Sequence, residues 1–239
     1  MNRILLILIV LWLLSLIQAK AQALLPPLEE MPLSREVYLI LKNGDKISGQ
    51  LLNSTSGRGI NKVKLMDDSG IKHEFKAIEI FELGIFSNEM VKAQYLNESS
   101  ASIKAMIKTD RSAIKQNDYV VFRNAQLNGG KELLLQLLNP HFDDKIEVFH
   151  AVNARKTTPL RKGTITLTGE MQRVYLVSKE GSSTFKVKKG SYRKSFHQLF
   201  TDCPDLMSIK KPKFRDFGRH IYYYTESCGQ GVNEYFWEN

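Results

Sequence analysis

The sequence predicts a mainly β protein with a C-terminal helical cap, an α+β arrangement in which a small barrel is followed by a second β-layer and two to three helices. Three observations predict it. Short apolar runs separated by turn residues fill much of the chain from Glu36 to Lys188. After Gly190 the apolar period changes to that of helices, with Tyr192, Phe196, Leu199 and Phe200 on one face. Hydrophobic residues make up 43% and charged residues 25% of the 239, which supports a packed core and argues against a disordered chain.

The first residues read as an address. Met1-Asn2-Arg3 is a short basic start, and Ile4 to Ile17 is apolar except for Ser15. Ala19-x-Ala21 and Ala21-x-Ala23 then fit the small-residue pattern before a signal peptidase site, so residues 1–23 are expected to be a signal peptide cut after Ala21 or Ala23. The alternative, a retained anchor, needs roughly 20 apolar residues, and this run is shorter. No Cys comes just after the run, which argues against a lipid anchor, and no later segment is long and apolar enough to span a bilayer. The expected location is across the inner membrane: periplasmic, secreted or outer-membrane associated, and not integral to a membrane once processed. Residues 24–35, with three prolines, read as an extended linker.

Residues 36–84 form the clearest unit. Val37, Leu39 and Leu41 alternate, Asn43-Gly44 and Asp68-Ser69-Gly70 supply hairpin turns, and Ile47, Leu51, Val63, Leu65, Ile71, Phe75, Ile78, Ile80 and Leu83 complete the apolar set. Gly49 inside the second strand predicts strong bending or a bulge. Four or five such short strands are expected to curl into an SH3-like or Sm-like barrel, or to pair with later strands. The segment 53–61 reads as a polar loop.

Residues 85–190 are less regular and are read as an irregular β region. Strand-like pieces fall at 90–96, 102–108, 118–125 and 145–150, and a hairpin at 169–188 turns around Glu180-Gly181-Ser182. The run 131–138 is equally compatible with two helical turns or one buried strand. Residues 191–229 form the helical cap. Pro204 suits the first position of a short helix capped by Cys203. Phe214, Phe217, Ile221 and Tyr224 mark a second apolar helical face, extended by Cys228, with Gly229 as its stop. Tyr222-Tyr223-Tyr224 point in three directions, so at least one exposed ring is expected. Residues 230–239 are a tail.

Cys203 and Cys228 are the only two cysteines. An even pair in an oxidising compartment reads as a disulfide, the alternative being two buried free thiols.

These segments resemble a group of uncharacterised exported proteins of the Bacteroidota. The resemblance rests on the pattern from Glu36 to Gly84, then Tyr175-Leu-Val-Ser-Lys-Glu-Gly, Phe185-Lys-Val-Lys-Lys, Tyr192-Arg-Lys-Ser-Phe-His-Gln-Leu-Phe and Asp202-Cys-Pro-Asp-Leu, with Tyr224 and Cys228 near the end. It implies location and architecture and brings no activity with it.

Charge is concentrated. The chain carries +9. Between Lys186 and Arg219, ten basic residues stand against three acids. Lys186, Lys188, Lys189, Arg193 and Lys194 are the candidate anionic-ligand set. In an exported protein they suit anionic envelope components, such as lipid head groups or acidic glycans, or another envelope protein, rather than nucleic acid. The plain alternative is a solvated basic face without a partner.

Catalytic signatures are absent. There is no G-x-S-x-G elbow and no phosphate-binding loop. The five histidines, His73, His141, His150, His197 and His220, form no metal-binding motif, and no cofactor is implied. The expectation is therefore a non-enzymatic binding or scaffolding module of the cell envelope. Two alternatives stand beside it: a hydrolase whose site is assembled from distant residues, which a deep pocket holding two or more of His141, His150, Asp143 and Asp144 would favour, and a sensory module switched by its disulfide.

Overall fold

The computed structural model describes residues 24–28, 30–56, 58–99, 114–115, 117–150, 160–162, 165–168 and 174–228. The segment expected to be a signal peptide, with Ala21 and Ala23, the strand-like piece at 102–108, the expected helix stop at Gly229 and the tail lie outside them. The architecture is mainly β: a closed six-stranded barrel, a small second sheet and a C-terminal group of helices.

The barrel begins with β1 (Glu36–Leu41), β2 (Lys46–Ser56), β3 (Ile60–Asp67), β4 (Lys72–Lys76) and β5 (Ile80–Phe86). It is not completed by them. The strands run in the order β2, β1, β5, β6, β7, β3, with β2 pairing β3 to close the ring and β4 added to the edge of β3. Strands β6 (Tyr119–Gln126) and β7 (Glu132–Gln136) therefore supply two staves from beyond residue 84. The stretch 36–84 pairs with later strands because its own five leave β5 and β3 with open edges, which a barrel cannot keep.

Alternation sends Val37, Leu39, Val63, Leu65, Leu83, Ile85, Val120, Phe122 and Leu134 into one buried core. Ile71 and Ile78, expected in this core, are instead 58% exposed, one in a turn and one in a short 3-10 turn, where no ladder fixes their side. The expected loop at 53–61 is mostly strand: β2 runs to Ser56 and β3 resumes at Ile60, with register shifts at Leu51/Asn53 and Thr55/Ser56 taking up the bend. At Gly49 a Cβ would lie 2.1 Å from the Met66 carbonyl oxygen, so this glycine serves close strand approach.

The piece at 90–96 is a helix, α1 (Glu89–Ser99), not a strand. Val91 and Tyr95, one turn apart, are its buried pair, and both join the barrel core. Tyr95 accepts a hydrogen bond from Gln136 Nε2 at 3.0 Å, and Gln136 Oε1 accepts from the Leu28 amide at 2.8 Å. A buried glutamine thus ties helix, barrel and the lead-in segment together.

Strand β7 resolves the ambiguity at 131–138. Its central leucines are buried on both faces: Leu134 in the barrel core, Leu133 and Leu135 in an outer cluster with Val121, Ala125, Leu137 and Phe149. Two-sided burial gives a continuous apolar run without alternation. The outer cluster is covered by the second sheet, ordered β12 (Phe185–Lys188), β11 (Val174–Lys179), β8 (Ile146–His150). A short ribbon pairs β9 (Leu160–Lys162) with β10 (Ile165–Thr168).

The opposite face of the second sheet, with Ile146, Val148, Val177 and Val187, packs on the helices. These are α2 (Tyr192–Phe200), α3 (Pro204–Met207) and α4 (Phe217–Glu226). The predicted face of α2 is buried throughout, and Pro204 opens α3 behind Cys203. Phe214 belongs to a 3-10 turn ahead of α4, and α4 ends at Glu226, so Cys228 sits two residues past the helix. It still reaches its partner: Cys203 and Cys228 form a disulfide with Cα atoms 5.8 Å apart. The tyrosine triplet presents no exposed ring. Tyr223 and Tyr224 are buried and Tyr222 is half-buried, edge-on to Phe142 at 5.6 Å, because the sheet and the 139–144 turn enclose α4 from two sides. Buried Asn139 holds that turn, donating to the carbonyls of Phe142 and Ile146 and accepting from the Val148 amide.

Candidate functional site

Two polar regions emerge from this architecture: the basic edge anticipated above, and a cleft between the barrel and the second sheet.

The basic edge is built on β12, the outermost strand of the second sheet. Val187 is buried against the helices, so Lys186 and Lys188 take the other side. Lys186 stands opposite Leu176, whose side chain faces the barrel. Lys189 opens the turn to α2, and Arg193 and Lys194 follow on its solvent side, all exposed. The five cations thus divide: the two strand lysines lie on the barrel side of the sheet, and the other three on the helix side, with the strand edge between them. None of the five has an ion-pair partner among the described residues. The acids nearby in sequence are engaged elsewhere. Asp202 binds Lys179 Nζ at 2.9 Å and accepts from the Tyr224 hydroxyl at 2.6 Å, and these bonds hold its carboxyl below the usual range despite some desolvation. Asp205 accepts from Tyr223 at 3.1 Å.

The cleft has a volume of about 620 Å³. At its centre is Arg123, directly opposite Glu82 in the β5–β6 ladder. Its Nε and Nη2 donate to Glu82 Oε2 at 3.1 and 2.5 Å, and Nη1 donates to Asp143 and, at 3.3 Å, to Glu147. The guanidinium also covers the half-exposed Phe81 ring at 5.3 Å. Burial disfavours the Arg123 charge, but the bonds to Glu82 and the fields of Asp143, Glu82 and Glu147 outweigh it, leaving the group more strongly basic than usual. Glu147 goes the other way. Burial raises its pKa, and Arg123 only partly offsets that. Tyr38 donates to Glu82 Oε1 at 2.6 Å; its own pKa is raised, chiefly by burial and then by that bond. Lys42 and Glu132 pair at the rim at 2.5 Å, while Asp144 and Glu180 also line the cleft.

Chemically, the cleft holds one saturated guanidinium and an excess of carboxylates. Sequence reading missed it. Its signal was a lone arginine in the apolar strand Tyr119–Gln126, but the partners Glu82, Asp143 and Glu147 come from three separate segments, and only the strand register joins them.

The histidines do not converge. His73 bonds Asp67 at 2.7 Å, His141 and His197 are exposed, and His150 is buried. His220 is buried against Tyr192, whose hydroxyl lies 2.6 Å from Nδ1, and burial pushes its pKa down to about 4. Among the described residues no group of three or more His, Cys, Asp or Glu is placed to hold a metal ion, and no helix is long and apolar enough to cross a membrane. Comparison of the chain with protein-family models, with curated proteins and with solved structures finds no match in any of the three.

Proposed function

We propose that the protein is an exported cell-envelope protein that acts as a non-enzymatic binding module, engaging anionic envelope components through Lys186, Lys188, Lys189, Arg193 and Lys194. The observation that carries this reading is the exposure of all five cations without an ion-pair partner among the described residues. Charge left unneutralised on a rigid edge is available to an incoming anion, and Arg and Lys donate to phosphate and carboxylate groups. Export is supported by the basic and apolar start ending at Ala21 and Ala23 and by the Cys203–Cys228 bond, which persists in oxidising compartments. The test is a pull-down from envelope extracts with the native protein and with a Lys188→Glu, Lys189→Glu, Arg193→Glu, Lys194→Glu variant. Loss of the captured anionic components is expected; an unchanged set of partners removes the reading.

A second reading has one specific observation in its favour. The cleft contains both Asp143 and Asp144, two of the four residues named above for a hydrolase. Glu147, protonated more readily than an ordinary glutamate, would be the acid and Asp143 its companion. Hydrolysis of envelope glycans by the purified protein, abolished in Glu147→Gln, would establish it. No turnover above that of the variant removes it.

A further inference from the structure

The basic edge does not stop at Lys194. The 3-10 turn Phe214–Asp216 is distant in sequence but is drawn to the same place by an aromatic frame. Phe214 stacks on Tyr175 with ring centroids 5.7 Å apart and meets Tyr192 edge-on at 5.5 Å. Tyr175 is the ladder partner of Val187 on β12, and Tyr192 is the first residue of α2. The frame therefore sets Lys213 and Arg215, both exposed, beside the Lys188, Lys189 and Arg193 segment. Among the described residues, Asp216, 3.8 Å from Arg215, is the only acid paired to a cation in this group, and the contact is long.

We propose that these residues form one continuous cationic ridge, from Lys186 on the barrel side of β12, over the strand edge through Lys189 and Arg193, to Lys213 and Arg215, and that it binds a linear acidic polysaccharide. This rests on the reading of the edge as an anion-binding surface and names its ligand class. Two features select a chain over a bilayer. The cations follow a line, from the barrel side of the edge strand β12 through the turn after it and the start of α2 to the 3-10 turn, which a flexible polyanion can track but a flat surface meets only in part. Membrane-surface proteins also combine basic residues with apolar side chains that enter the lipid. Among the described residues, the large exposed apolar ones, Leu33, Leu52, Ile71, Ile78, Phe81 and Met90, all belong to the lead-in, the barrel and α1, and none to the lobe that carries the ridge. The aromatic frame is inward: Tyr192 is buried and Tyr175 and Phe214 are half-buried, so these described rings offer no open platform for the base stacking that single-stranded nucleic acids use. A carboxylate-bearing glycan needs only the charges.

The experiment measures binding of the full chain to alginate, to phosphatidylglycerol vesicles and to a short DNA duplex at low and moderate salt. It compares the native protein with Lys213→Glu/Arg215→Glu and with Lys189→Glu/Arg193→Glu, each checked for an unchanged thermal transition. Alginate is expected to bind tightest, to weaken steeply with salt, and to lose about tenfold in affinity in each double variant. Preference for vesicles or duplex overturns the ligand class. Loss in Lys189→Glu/Arg193→Glu alone overturns the ridge but leaves the binding function standing. No binding to any of the three anions removes both.

Discussion

His220 shows how one side chain records its surroundings. It lies between Tyr192, Phe196 and Phe200, with ring centroids 5.0 to 6.3 Å away. In that apolar setting the charged imidazolium is disfavoured, and the pKa falls from 6.5 to about 4. The folded protein then binds fewer protons than the unfolded chain between these values. Stability contributed by neutral His220 is present above pH 6.5 and is lost as pH falls towards 4. Urea unfolding should show a decline of up to about 3 kcal/mol over that window, and His220→Gln should flatten it. An equal slope in the variant would place the acid sensitivity elsewhere. The helical position of His220 was readable from Phe217 and Tyr224, both buried neighbours on its face. Its protonation was not, because that depends on rings delivered by α2.

At the scale of the element, a strand's neighbours decide what its residues are for. Gly84 in β5 stands opposite Tyr38 in β1, and a Cβ there would lie 2.1 Å from the tyrosine ring. The glycine is the floor on which that ring rests, with Tyr119 edge-on at 4.9 Å and Lys46 above at 4.8 Å. Gly84→Ala is expected to cost about 1–3 kcal/mol through overpacking, and the cost should shrink in a Tyr38→Leu background, a non-additivity that a double-mutant cycle measures. Additive losses would mean that the ring does not sense the methyl group. Pattern reading succeeded where one face is dry and the other wet, as in β1, β3, α2 and α4. It failed for α1, whose fully buried residues are Val91 and Tyr95 with half-buried Leu96 beside them, too narrow a stripe to look helical among polar neighbours. It could not decide β7, because dryness on both faces erases the period.

The whole molecule is layered: barrel wall, second sheet, helices. The disulfide fastens the last layer, joining the start of α3 to the segment after α4 across a separation of 25 residues. On the chain-entropy model such a loop stabilises by about 3 kcal/mol. Cys203→Ser/Cys228→Ser is expected to lose that much in urea unfolding, with amide exchange accelerating in α4 while β1 and β5 keep their protection. A variant as stable as the native protein would make the bond incidental to the fold. The barrel strands and the cap were legible as expectations from local spacing, and the cysteine pairing from an even count in an expected oxidising compartment. What no local pattern encodes is which distant strand meets which: that β6 and β7 finish the barrel, or that Arg123 faces Glu82.

The ring is also unevenly joined. Strands β1, β2, β5 and β6 meet along five or so residues each, but β3 meets β7 through a single pair, Ile60 and Leu134, because β4 occupies the remainder of the same edge. Those two residues lie far apart along the chain, so their meeting requires most of the intervening polypeptide to be in place already. The cylinder accordingly has a latch rather than uniform staves, a joint expected to shut last as the protein folds and to part first when it breathes.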